Sequence, residues 1–176
     1  MGGRSEAQGE ELRRPNAASR DETSEWGLVA LVYNLDVAYT RLLAALARRR
    51  GMTLSEIVAL QHVQTSGGLM AGELAARLQM STGATTTLID RLERAGQVAR
   101  TPHPRDRRGV VLSLTAAGQE EILRLLGPYL GAISTVAQGL DEGEAAVMAR
   151  TLARITTITE EAARDISAAR DPHATD

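Results

Sequence analysis

From Glu25 to Arg50 the apolar residues Leu28, Leu31, Val32, Leu35, Tyr39, Leu42, Leu43 and Leu46 recur three or four apart, which predicts a long amphipathic helix ended by Gly51. "TLSEIVALQHV" opens with Thr53 and Glu56 in capping-box spacing, where each side chain can satisfy a backbone N–H at a helix start, so a second helix is expected to about Thr65. "SGG" breaks it, Leu69 and Met70 can make a minimal strand, and "AGELAARLQM" reads as a short third helix with Leu74 and Leu78 facing inward. In "STGATTTLIDRLERAG" Ser81 is the expected N-cap, Thr85, Leu88, Ile89 and Leu92 the inward stripe, and Gly96 the stop. The opposite face of this fourth helix is then Thr82, Gly83, Thr86, Thr87, Asp90 and Arg91.

The period changes from 3.6 to 2 after Gly96. "QVART" and "VVLSLT" are β-prone, the second alternating Val111, Ser113 and Thr115 with Val110, Leu112 and Leu114. Between them Pro102 and Pro104 restrict the backbone, and "RDRRG" supplies turn residues and charge, so the pair reads as a hairpin with a projecting tip. Thr115 then caps a long helix with Ile122, Leu125, Leu126, Tyr129, Ile133, Val136 and Leu140 at helical spacing, expected to kink at Gly127-Pro128. Asp141 and Glu144 form another capping-box pair, and Met148, Leu152, Ile155, Thr159, Ala162 and Ile166 follow in steps of four and three, a coiled-coil-like seam. Three long helices flanking so small a centre carry more apolar stripe than that centre can cover, which points to a dimer built from residues 25–50 and 116–168. Residues 1–22 are polar and aperiodic and are read as a disordered arm, with 169–176 as a tail.

Composition narrows the class. A chain of 176 residues with 43% hydrophobic and 24% charged residues is expected to be one globular domain, here 23–168. No apolar run approaches the roughly 20 residues of a membrane span, the first residues lack the apolar stretch of a secretory signal, and cysteine is absent. A cytoplasmic setting is expected. The net charge of −2 is uninformative until it is located: between Arg77 and Arg108, seven arginines oppose Asp90, Glu93 and Asp106, a local charge of +4.

Helix, short helix, turn, helix, two-stranded hairpin is the order of a winged helix-turn-helix, here 53–115, whose second paired helix enters the major groove of DNA. The fold expected is therefore mainly α with a small β-hairpin wing, flanked by long N- and C-terminal dimerisation helices. On the reading helix, Ser81, Thr82, Gly83, Thr86 and Thr87 offer small hydroxyls to base edges and phosphates, and threonine methyls to thymine methyls. A tip bearing Arg105, Arg107 and Arg108 suits the negative potential of a narrow minor groove, with Asp106 holding an arginine in one rotamer.

"ELAARLQMS", "LIDRLERAGQVAR" and "DRRGVVLSLTAAG" give residues 54–118, and more loosely 25–168, a resemblance to the MarR family of bacterial transcription regulators. The resemblance implies a homodimer reading a palindromic double-stranded site, with Asp106 and Arg108 matching the family's wing acid and minor-groove arginine and Arg107 a phosphate contact. It places Thr82, Gly83, Thr86 and Thr87 toward the groove and Arg91 at the family's "DRL" arginine. Two departures stand out: Thr87 occupies a position often held by arginine, and Met70 one commonly held by a Thr or Ser cap. The resemblance further implies a small lipophilic or phenolic effector bound between the first, second and fifth helices, where Trp26, Tyr33, His62 and Tyr129 are the aromatic or polar-tipped candidates. No nucleophile elbow, P-loop or dinucleotide fingerprint is present, so no enzyme is expected. Cofactors are not expected either, since His62, His103 and His173 fall in different elements and make no metal cluster. The rival reading is a winged helix used for protein contacts without specific DNA binding.

Overall fold

In the computed structural model, residues 24–102 and 110–169 are described, and they divide between two compact units that meet at Leu54 and Ser55. The first unit holds one helix, α1 (Glu25–Arg50). The Ser24 hydroxyl accepts from the Gly27 N–H at 3.1 Å, and at the other end Gly51 takes the left-handed conformation, with a φ of 64°, that only glycine adopts without strain. Leu28, Leu31, Val32 and Leu35, all on the predicted apolar stripe, are exposed. By length and composition alone α1 is apolar enough to cross a membrane, an 18-residue window averaging a hydropathy of 1.3, although it contains no unbroken apolar run of that length. The unbroken run is missing because Asn34, Asp36, Thr40 and Arg41 interrupt it, but flanking leucines and valines keep the mean high.

The second unit contains α2 (Leu54–Ser66), β1 (Leu69–Met70), α3 (Ala71–Leu78), α4 (Thr82–Arg94), β2 (Val98–Pro102), β3 (Val110–Leu114), α5 (Ala116–Gln138) and α6 (Glu142–Ala169). Ile57, Leu60 and Val63 of α2, Leu74 of α3, Ile89 and Leu92 of α4 and Leu112 of β3 are fully or almost fully buried and make its core. The strands form one antiparallel sheet in the order β1-β3-β2, so the hairpin of β2 and β3 gains a third strand. Val98 pairs with Leu114 and Pro102 with Val110 at the two ends of the hairpin register, while Leu69 pairs with Leu112. Proline is tolerated at Pro102 because it is the last residue of an outer strand.

α5 begins where the sequence pattern placed it. The Thr115 hydroxyl accepts from the Gly118 N–H at 3.0 Å and donates to the Gly96 carbonyl, and the Thr115 N–H donates to the Gln97 carbonyl at 3.1 Å. A Cβ at Gly118 would lie 1.9 Å from that Gln97 oxygen, so glycine is required there by proximity. This joint fixes the start of α5 to the turn that ends α4. Along α5 the apolar stripe changes character: Ile122, Leu125 and Leu126 are buried, whereas Ile133 and Val136 are exposed, and the helix continues through Pro128. The Asp141 and Glu144 box is formed with two bonds of 2.9 Å at the start of α6, whose Met148, Leu152 and Ile166 are exposed.

Candidate nucleic-acid interface

α3, a short turn and α4 form the helix-turn-helix. α3 ends at Gln79, the one non-glycine described residue with positive φ, at 51°, and Met80 and Ser81 complete the turn. At its start, where Met70 replaces a hydroxyl cap, the Glu73 carboxylate reaches back and accepts from the Met70 N–H at 2.8 Å, satisfying a donor that a Ser or Thr cap would leave to others. Ser81 caps α4, its hydroxyl accepting from the Ala84 N–H at 3.3 Å.

The two faces of α4 separate as its spacing predicts. Thr85, Leu88, Ile89 and Leu92 are buried; Ser81, Thr82, Gly83, Thr86, Thr87 and Arg91 are exposed and Asp90 is half-buried. No neighbour lies within 4 Å of a Cβ built on Gly83 and its φ is unremarkable, so neither packing nor backbone conformation demands glycine there. Its effect is to leave the first turn of α4 bare. Two of the threonine hydroxyls on the exposed face bond within the helix. Thr86 Oγ1 donates to the Thr82 carbonyl at 2.9 Å and Thr87 Oγ1 to the Gly83 carbonyl at 3.0 Å, four residues back in each case. A hydroxyl carries one proton, so Thr86 and Thr87 present methyl groups and acceptor lone pairs to solvent in this arrangement.

Three arginines tie these elements together. Arg91, more than half exposed, has Nη1 3.6 Å from Oε1 of the nearly buried Glu56, which ties α4 to α2. Arg77 Nη1 donates to Ser66 Oγ at 2.7 Å, joining α3 to the end of α2. Arg100, on β2, donates through Nη2 to Asp90 Oδ1 at 2.6 Å and through Nη1 to Glu93 Oε2, so one guanidinium bridges the hairpin and α4. Its pKa is held above the ordinary arginine value, chiefly by the hydrogen bond to Asp90. In the sequence alone Arg100 is one of seven arginines between Arg77 and Arg108. The available signal was that Arg100 stands two residues after Val98, on the same side of β2, while Asp90 and Glu93 lie one turn apart on the facing helix.

The tip residues Arg105, Asp106, Arg107 and Arg108, like His103, lie outside the described residues. Of the four effector candidates, Trp26 and Tyr33 belong to the first unit, half-buried and exposed respectively; His62 and Tyr129 belong to the second and are both half-buried. Burial lowers the His62 pKa below its usual value, the charge of Arg77 adds to that and Glu160 opposes it. No group of three or more potential metal ligands occurs among the described residues.

Comparison with known proteins agrees with this geometry. The family model described as "MarR family" matches residues 40–110. An uncharacterised HTH-type transcriptional regulator of Bacillus subtilis, YcgE, is 32% identical over 117 residues, covering 66% of this chain and 76% of its own. The HTH-type transcriptional repressor MdtR of the same organism is 36% identical over 78 residues, 43% of this chain and half of its own length. Among solved structures, wild-type MarR of Escherichia coli in its apo form superposes with a TM-score of 0.51 at 27% identity, covering 73% of this chain and 95% of that one. With its winged helix-turn-helix, its motif spacing and these relatives, the chain belongs to the MarR family of transcriptional regulators.

Proposed function

We propose that this protein is a cytoplasmic, homodimeric repressor that binds a palindromic double-stranded DNA site and is released by a small lipophilic or phenolic effector. The observation that carries the reading is the division of α4 into a buried apolar face and an exposed face of Ser81, Thr82, Gly83, Thr86, Thr87 and Arg91, held beside a β-hairpin. In the groove, Thr86 and Thr87 meet base edges, Ser81 and the first turn of α4 meet phosphate, and Arg91 reaches the backbone. Arg105, Arg107 and Arg108 supply the minor-groove and phosphate contacts, with Asp106 orienting an arginine. The name of its relative MdtR supports repression over activation.

Dimerisation follows from the exposed apolar residues of α1, the second half of α5 and α6, and a two-fold dimer reads two half-sites one helical turn apart. An effector acts by preferring the dimer whose reading helices are out of register with successive major grooves. Trp26, Tyr33, His62 and Tyr129 are the proposed effector contacts, and Trp26, the single tryptophan, reports on binding through its emission.

The test is selection of bound duplexes from a random pool by the purified protein at two salt concentrations. A palindromic consensus whose enrichment fades with salt is the expected result, because phosphate contacts release counterions. Absence of any enriched sequence at low salt, with the protein folded, would sink the reading in favour of a winged helix serving protein contacts.

A further inference from the structure

α4 carries two carboxylates, Asp90 and Glu93, beside the face assigned to DNA. Their side chains are 46% and 40% exposed; Asp90 follows Thr86 and Thr87 by one helical turn and Glu93 lies in the same last turn as Arg91, so phosphates docked along this face feel these charges. Like charges brought together in this way weaken association and slow encounter. Among the described residues Arg100 bridges both acids. It reaches them from β2 with one nitrogen each, the plane of the guanidinium matching two acceptors one helical turn apart as a lysine could not. Of the two arginines in the last turn of α4, Arg91 is directed to Glu56, and Arg94 follows Glu93 in the chain.

We propose that Arg100 is a positioning residue for DNA binding that acts by masking the Asp90 and Glu93 carboxylates, which would otherwise repel the phosphates on which α4 docks. The inference rests on the DNA-binding reading above. It makes Arg100 a determinant of affinity without requiring that it touch DNA. The second consequence of the same bridge is mechanical: β2 is secured to α4, and the five-residue register with β3 carries that constraint along the hairpin.

Charge masking and mechanical fastening are separable by substitution in the full chain, with binding measured by fluorescence anisotropy on the duplex selected by the wild type. Arg100→Gln removes both roles and is expected to weaken binding about tenfold at low salt, the deficit shrinking as salt is raised. Adding Asp90→Asn and Glu93→Gln to Arg100→Gln removes the repulsion and should bring affinity back to within about threefold of wild type. Arg100→Lys keeps the positive charge but loses the fork, and is expected to bind within about threefold of wild type. Thermal melting of each variant separates a lost contact from a lost fold.

A triple variant as weak as Arg100→Gln, or an Arg100→Gln deficit that does not respond to salt, would overturn masking and leave fastening as the role. Unchanged binding by Arg100→Gln overturns both roles. Failure of the wild type to select any duplex would instead remove the DNA-binding reading, and this inference with it.

Discussion

At the level of single residues, the reading face is defined as much by what its groups no longer offer as by what they are. Thr86 and Thr87 have given their hydroxyl protons to Thr82 and Gly83, so their remaining contact chemistry is a methyl and an acceptor. Thr86→Val, which keeps both branches of the side chain but no hydroxyl, should bind a thymine-containing half-site within about threefold of wild type, whereas Thr86→Ser should lose about fourfold, the worth of one buried methyl. Replacing each thymine of the selected site by deoxyuridine locates the contact; if the serine variant binds better than the valine variant, the hydroxyl is the reader. Gly118 gives a prediction of another kind. Gly118→Ala places a carbon 1.9 Å from the Gln97 oxygen and should destabilise the fold by about 1–3 kcal/mol, read as a lowered Tm, because backbone must move to admit it.

His62 links residue chemistry to pH. Its pKa in the fold is below the usual value of 6.5, so the unfolded chain binds its proton more readily than the native one. Stability from this group is complete above pH 6.5 and is lost as pH falls below it toward the lowered native pKa. A Tm that declines over that window in the wild type, and less steeply in His62→Gln, is the expected outcome; parallel profiles would show that another group dominates.

The elements owe their boundaries to short-range chemistry and their arrangement to a few long-range contacts. Ser81, Thr115 and the Asp141 and Glu144 box each cap the helix that their spacing announced. Ser81→Ala should cost about 1 kcal/mol at the start of α4, detectable as a shift in denaturant midpoint with unchanged m, since one helix-start donor loses its acceptor. The third strand of the sheet was less visible. Leu69 and Met70 are too few to show a period of 2, and they become a strand because β3 offers them a partner, Leu112 opposite Leu69. The contacts between elements, Arg91 with Glu56, Arg100 with Asp90 and Glu93, and Gly118 against Gln97, join residues from 7 to 35 positions apart, and each forms only when the two elements are packed together.

For the molecule as a whole, the unspent apolar surface is the leading fact. Leu31 and Leu35 on α1, Ile133 and Val136 on α5, and Met148 and Leu152 on α6 are exposed in a single chain, more than scattered surface residues account for. Sedimentation should give twice the chain mass of 18.8 kDa. Met148→Glu together with Leu152→Glu should shift it toward the monomer and abolish tight binding to a palindrome while leaving weak binding to a half-site, because each reading head is built within one chain. A monomeric wild type that binds its full site tightly would refute the dimer.

By itself the sequence determined the order and type of the elements, the two faces of α4, the caps of α4, α5 and α6 and the family, since each of these depends on residues within a few positions of one another or on motifs of fixed spacing. Only the tertiary structure decided what the charged groups do. A sequence count puts seven arginines between Arg77 and Arg108 and treats them alike. The fold directs Arg77 to Ser66, Arg91 to Glu56 and Arg100 to two carboxylates at once. The reason is physical: a charge acts through distance and direction, and these are set when strands and helices remote in the chain are packed together.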